Sequence, residues 1–210
     1  MTPSPATDLQ NRCDLLRSLH HPGAPLLLPN AWDVATARAV VAAGFPVVAT
    51  TSGGVAATLG YEDGERAPTD EMLAAAGRIA RGVEVPVTVD AEAGYGMKPA
   101  ELVAALRSTG AAGCNLEDTD HTAGSLRDPD RHADWLRAIR QAASEDGYRL
   151  VINARVDVFP WSVPRRRRPR DPGGARSRGA PARECLPRRR RRLRVPDCPV
   201  GNGRAAPLHL

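Results

Sequence analysis

The chain has 210 residues, 42% hydrophobic and 25% charged, with a formal net charge of +5, a length that ordinarily makes one domain. No apolar run reaches membrane-spanning length, and Met1-Thr-Pro-Ser-Pro has neither a basic nor an apolar leader, so the expectation is a cytoplasmic protein with no membrane partner. Cys13, Cys114, Cys185 and Cys198 are scattered, with no CxxC pair, which argues against a disulfide framework or a thiolate zinc site.

The overall charge conceals two unlike regions. Residues 1–159 carry 14 basic against 21 acidic residues, a net of −7, whereas residues 160–210 carry 15 arginines against 3 acids, a net of +12. The composition predicts a domain over 1–159 and a disordered Arg/Pro-rich tail over 160–210.

In chain order, Leu9, Cys13, Leu16 and Leu19 have helical spacing over 7–20, with Thr7 as an N-cap candidate. Leu26–Trp32 reads as a strand. Asp33 caps a helix over Val34–Ala43, with Gly44 at the C′ position. Val47–Ser52 reads as a second buried strand, followed by a mobile Gly53-Gly54 and the loop Leu59–Glu65. Thr69 caps a helix over Asp70–Arg81. Val87-Thr88-Val89-Asp90, led in by Pro86, is a third strand buried on both faces. Pro99 opens a helix to Thr109. Gly113–Asp118 is a fourth strand, Thr119–Asp128 a loop, and Pro129–Glu145 a helix. Leu150–Asp157 is a fifth strand.

Five alternations of strand and helix with short connections predict parallel βα units. No GxGxxG follows the first strand, so the expected fold is an α/β TIM-type (β/α)8 barrel, represented here by about five βα units. Chemistry in such a barrel collects at strand C-termini. Asp90 and Glu92, two residues apart, are expected to project from one side of a strand end. With Glu117 from the next strand end they form an all-oxygen donor set suited to magnesium, or to manganese. Arg155, at the fifth strand end, suits bidentate binding of a substrate carboxylate. His121 lies in the loop over this face.

Five segments together resemble the isocitrate lyase/phosphoenolpyruvate mutase superfamily: Thr51–Gly54, Leu59–Gly64, Asp90–Gly96, Asn115–Asp118 and Asn153–Asp157. The resemblance spans roughly residues 9–159. It implies a magnesium-dependent barrel that makes or breaks C–C or P–C bonds in small 2-oxo or 2-hydroxy carboxylates through an enolate-like intermediate. It implies Asp90, Glu92 and Glu117 as the metal-site acids, and Asp63 and Arg155 as catalytic residues. Ser52, Gly53 and Arg155 would bind substrate. The chain lacks the Lys-Lys-Cys-Gly-His loop of family lyases, as mutase-like members do, and Thr119 stands where mutases and several lyases place Lys or Gln, which tells against phosphoryl transfer; the resemblance is to the mutase-like branch, with C–C chemistry expected over P–C. The resemblance also implies a homo-oligomer that exchanges a C-terminal helix, for which residues 160–210 show no counterpart.

The tail admits other readings. Its clustered arginines suit phosphates, which would make the chain a non-catalytic nucleic-acid-binding or interaction protein. Alternatively, the tail is a frameshift product that leaves an inactive remnant. Arg183–Arg191 can be encoded so that a one-base offset reads Gly-Asn-Ala-Tyr-Arg-Ala-Gly-Ala-Asp, similar to the approach to the family's sixth strand.

Overall fold

The computed structural model describes residues 5–158; the arginine-rich segment 160–210 lies outside the described residues. The elements begin with α1 (Pro5–Ser18), β1 (Asn30–Ala31), α2 (Val34–Ala42), β2 (Val48–Thr50), α3 (Ser52–Leu59) and α4 (Thr69–Arg81). They continue with β3 (Val87–Asp90), α5 (Pro99–Thr109), β4 (Gly113–Glu117), β5 (Thr119–Asp120), β6 (Ser125–Leu126), α6 (Pro129–Glu145) and β7 (Val151–Arg155).

Five of the strands form one sheet in the order β1-β2-β3-β4-β7, and every neighbouring pair is parallel. The principal strands therefore pair in the order in which they occur along the chain. A doubly wound sheet would reverse its order at a switch point; a barrel does not. The described residues thus have the α/β barrel topology expected from the sequence, over five βα units.

β2 and β3 are buried throughout, which is why they are rich in Val, Ala and Thr and carry their one charge, Asp90, only at the end of β3. Val48, Val87, Val89 and Leu116 share one core with Ile79 of α4, Leu102 and Leu106 of α5, and Ile139 of α6. Each such side chain contributes about 1.5–3 kcal/mol on burial. Helix α1 closes the end of the sheet opposite the strand C-termini. A Cβ at Gly113 would stand 2.7 Å from Leu16 Cδ2 and 2.8 Å from the Val151 carbonyl, so only glycine lets β4 start this close to α1 and β7. Arg12 of α1 donates to the carbonyls of Ala80, Val83 and Val85 at 3.1–3.4 Å, tying α1 to the end of α4.

Several local expectations change. The strand read over Leu26–Trp32 contracts to Asn30–Ala31, because Pro25 and Pro29 have no N–H to give a ladder. Helix α1 begins at Pro5, which places Thr7 inside it. Pro68, not Thr69, is the N-cap of α4, and Thr69 is its first residue. Gly53 and Gly54 are not a mobile loop but lie in α3. Here the glycines serve close packing: a Cβ on Gly54 would meet Thr51 Cγ2 at 2.6 Å and Trp32 Cβ at 3.1 Å. The loop Thr119–Asp128 contains the antiparallel β5–β6 hairpin, Thr119 opposite Leu126 and Asp120 opposite Ser125. Asp33 does cap α2, in a capping box with Thr36.

Candidate active site

Three consecutive strands of the sheet end in charged side chains. β3 ends at Asp90, β4 at Glu117 and β7 at Arg155, and the register sets Glu117 directly beside Arg155. Asp90 is positioned from the β2 side. Its amide donates to Thr50 Oγ1 at 2.9 Å, and its Oδ2 accepts the Ser52 amide, the first of α3, at 3.0 Å.

Arg155 joins these ends. Its Nη1 lies 2.9 Å from Glu117 Oε2 and 3.7 Å from Asp90 Oδ1. Its Nε and Nη2 donate to the two Asp157 carboxyl oxygens at 2.7 and 3.2 Å. Asp157 is itself fixed, accepting from Thr119 Oγ1 at 2.7 Å and donating its amide to Asp118 Oδ1 at 2.8 Å. His121, carried on the β5–β6 turn, places Nε2 2.8 Å from Glu117 Oε1, an ion-pair distance without hydrogen-bond alignment.

Glu92 reaches the site differently from the expectation. β3 stops at Asp90, and Glu92 follows in a turn with φ +47°, so strand alternation does not aim it. Its Oε2 accepts the Glu65 amide at 2.6 Å, and its own amide lies 3.4 Å from Asp90 Oδ1. Asp63 stands at the start of α3: a Cβ on Gly53 would lie 3.0 Å from Asp63 Oδ2.

Burial, more than any neighbour, pushes the Glu92 carboxyl up to about 7, against the lowering effect of the Glu65 amide, with Asp63, Glu65 and Asp90 raising it further. Glu117 is likewise pushed up to about 7 by burial; Arg155 opposes this, while Asp157, Asp90 and Asp63 add to it. Two desolvated carboxyls in an acidic neighbourhood have a deficit of positive charge.

That deficit is the test of the expected cation. Among the described residues, no three His, Cys, Asp or Glu side chains are grouped closely enough to hold a metal ion by themselves. A hard divalent cation is commonly held by one or two carboxylates with water completing the shell. The all-oxygen set Asp90, Glu92 and Glu117 suits that chemistry. The structure thus brings Asp90, Glu117 and Arg155 together, sets Ser52 on Asp90, places Gly53 beside Asp63, and turns Glu92 onto Glu65. Glu65, and the parts that Asp157 and Thr119 play in fixing Arg155, are not among the expected site residues. Asp157 lay in the Asn153–Asp157 segment that signalled it; nothing in the sequence marks Glu65 as left-handed.

The family profile described as phosphoenolpyruvate phosphomutase matches residues 16–183 and so continues past the compositional boundary at residue 159. An uncharacterized protein of Mycobacterium tuberculosis is 40% identical over 141 residues, which is 67% of this chain and 52% of that protein. "Probable 2-methylisocitrate lyase 2" of Corynebacterium glutamicum is 39% identical over 93 residues, 43% of this chain and 30% of that protein. The chain spans about half the length, 52%, of the mycobacterial relative. Among solved structures, a Burkholderia cenocepacia protein provisionally assigned as a phosphonomutase shows 46% identity and a TM-score of 0.69, over 73% of this chain and 63% of that one. A 2,3-dimethylmalate lyase, described as a PEP mutase/isocitrate lyase superfamily member, shows 29% identity and a TM-score of 0.63, over 73% of this chain and 53% of that one. With that profile match over most of its length and barrel strands ending in acids and an arginine, the chain belongs to the phosphoenolpyruvate phosphomutase family of the PEP mutase/isocitrate lyase superfamily.

Proposed function

We propose that the chain carries the cation-binding and carboxylate-binding residues of a magnesium-dependent, cytoplasmic lyase. Its substrate is a small 2-oxo or 2-hydroxy carboxylate, in which a C–C bond is made or broken. The observation that carries this reading is the Arg155 guanidinium set 2.9 Å from Glu117 and 3.7 Å from Asp90 at adjoining strand ends. An arginine among desolvated acids marks a place where an anion and a cation meet.

Asp90, Glu92 and Glu117 would hold the ion, directly or through water; magnesium is the expected ion, and manganese suits the same oxygen donors. When bound, it supplies Lewis-acid stabilisation of negative charge developing on a substrate oxygen. The protein's own groups do the rest. Arg155 offers a planar fork to a substrate carboxylate, now occupied by Asp157, and the Ser52 and Gly53 segment at the head of α3 offers backbone donors. Asp63, whose carboxyl lies beside Gly53, would hold or pass a proton. Thr119 fixes Asp157 and so holds Arg155 in register.

Calorimetry of the full chain with magnesium and oxalate, a stable two-oxygen mimic of a 2-oxo acid, tests this. Magnesium-dependent oxalate binding that disappears in Asp90→Ala is the expected result. Absence of binding by folded protein sinks the proposal.

A further inference from the structure

Helix α6 meets the turn after β3 through a stack of side chains. Trp135 lies against Gly94, where a Cβ would come within 2.6 Å of the indole Cζ2. Arg127 spans the same joint: its guanidinium carbon lies 5.1 Å from the Trp135 ring centroid, and its Nη2 donates to the Ala93 carbonyl at 3.1 Å. His132, one turn before Trp135, packs on that indole with ring centroids 5.8 Å apart. The turn held in this way carries Glu92. It is closed by the Gly94 amide on the Ala91 carbonyl at 2.9 Å and the Met97 amide on the Gly94 carbonyl at 3.0 Å.

His132 is the weak member of this stack. It is 5% exposed, and neither ring nitrogen is open to solvent or has a hydrogen-bond partner among the described residues. A neutral imidazole in such a place leaves one N–H and one lone pair unmet. A further proton makes two N–H donors and a charge with no acceptor at either nitrogen, and an unpaired buried charge costs far more than a buried polar group. The surroundings do not offset this. His132 is the fourth residue of α6, where the helix dipole is positive. Burial pulls its pKa below the ordinary value; Asp118, just after β4, opposes this, and Arg127 adds to it. The other charged groups nearby are committed or exposed. Asp120 Oδ1 is taken by the amides of Thr122 and Ala123 at 3.0 and 2.8 Å, and Asp128 Oδ1 by those of Asp130 and Arg131 at 3.1 Å. Asp130 and Arg131 themselves are exposed.

We propose that His132 is an acid-sensitive release for this joint: protonation of its sealed ring lifts the first half of α6 from the turn after β3 and loosens the segment that carries Glu92. The ring keeps the added proton only where water reaches its nitrogens, so the charged form is one in which Trp135 has left Gly94. The sign is fixed. For an imidazole held below the ordinary value of 6.5, the stability it confers is present above 6.5 and is lost as pH falls through the lower, buried value. Glu92 and Glu117 act in the opposite sense, since burial raises both carboxyls and their stabilisation is fullest in acid. The loosening is therefore confined to the joint while the rest of the fold holds. It does not depend on the lyase reading.

Amide hydrogen exchange of the full chain at about pH 7.5 and about pH 5.5, expressed as protection corrected for the intrinsic pH dependence of exchange, tests this. Protection at Ala133 to Leu136 and at the Gly94 and Met97 amides should fall roughly tenfold at the lower pH, while that of α4 holds. His132→Phe keeps a flat ring and removes both nitrogens; the fall should vanish, and the variant should melt higher than wild type at the lower pH. If His132→Phe does not fold, the His132 Cε1–H resonance of the wild type decides. A midpoint below 6.5 that carries the Trp135 indole N–H resonance with it supports the proposal. A midpoint at or above the ordinary value, or an indole resonance that does not follow the ring, overturns it. So does equal protection at the two pH values, or a fall that persists in His132→Phe.

Discussion

Glu92 accepts the Glu65 amide at 2.6 Å, and Glu65 returns its own carboxyl to the Tyr95 amide at 2.7 Å. All three residues are left-handed, with φ of +47°, +57° and +55° for Glu92, Glu65 and Tyr95. Each such non-glycine conformation costs on the order of 1–3 kcal/mol and persists only where surrounding contacts over-determine it. The two hydrogen bonds clasp the loop before α4 to the turn after β3 and set where Glu92 points.

Breaking the clasp should therefore be felt at a distance. Glu65→Ala keeps the left-handed cost but removes the bond to Tyr95, and we expect a loss of about 1–2 kcal/mol in urea unfolding. Oxalate binding should weaken in parallel. Unchanged values for both would show that the turn after β3 holds its shape unaided.

The raised carboxyls give a pH dependence with a definite sign. Glu92 and Glu117 move from 4.5 in the unfolded chain to about 7 in the folded one, chiefly through burial. The folded chain thus holds these protons more tightly. The corresponding stabilisation is complete below the unfolded value of 4.5 and is lost as pH rises through about 7. It amounts to something on the order of 3 kcal/mol per group. Glu117→Gln, an uncharged shape mimic, should flatten the fall in melting temperature between about pH 5 and pH 8. Magnesium should raise the wild-type melt at the upper pH and do little at the lower. A magnesium effect equal at both would contradict the assignment of these carboxyls to the cation.

Arg155 engages Asp157 through two nitrogens and Glu117 through the third. A lysine supplies the charge but not the fork. Arg155→Lys should weaken magnesium-dependent oxalate binding by roughly tenfold or more, about 1.4 kcal/mol. Thr119→Val, which frees Asp157, should produce a smaller loss in the same direction. Wild-type affinity in Arg155→Lys would show that charge alone suffices.

Gly94 ties the turn after β3 to α6. It has φ +90°, and a Cβ there would lie 2.6 Å from Trp135 Cζ2. Gly94→Ala should cost about 1–3 kcal/mol by crowding the indole, beyond its backbone strain. Gly96→Ala has φ +66° but nothing within 4 Å, so it isolates the strain. Equal losses in the two variants would show that indole packing contributes nothing.

The parallel sheet was legible in the sequence because its central strands are buried on both faces. Val87-Thr88-Val89 carries that burial as β-branched residues and Gly113–Leu116 does so but for the half-buried Asn115, and Asp90, Glu117 and Arg155 mark the strand ends. The first strand misled because Leu26-Leu27-Leu28 has apolar composition without ladder donors from its flanking prolines; Leu27 is 73% exposed. Helix α3 was hidden because two glycines read locally as a loop, whereas Thr51, Trp32 and Asp63, remote in sequence or just across a turn, require their bareness. Strand periodicity does not account for the direction of Glu92, because alternation assumes that the strand continues and it stops at Asp90. What aims Glu92 is a hydrogen bond from residue 65, a tertiary relationship with no local signal.

The Ser52 amide, already given to Asp90 at 3.0 Å, has one proton to donate. A carboxylate arriving at the head of α3 cannot simply add its bond there; it takes over one that Asp90 already holds. Asp90 then loses a partner as the ligand gains one, and the measured affinity reports the difference between two acceptors competing for the same N–H. Ligand strength at this position is a matter of barter. A weak anion leaves the amide with Asp90, and only one whose further contacts repay the exchange displaces it.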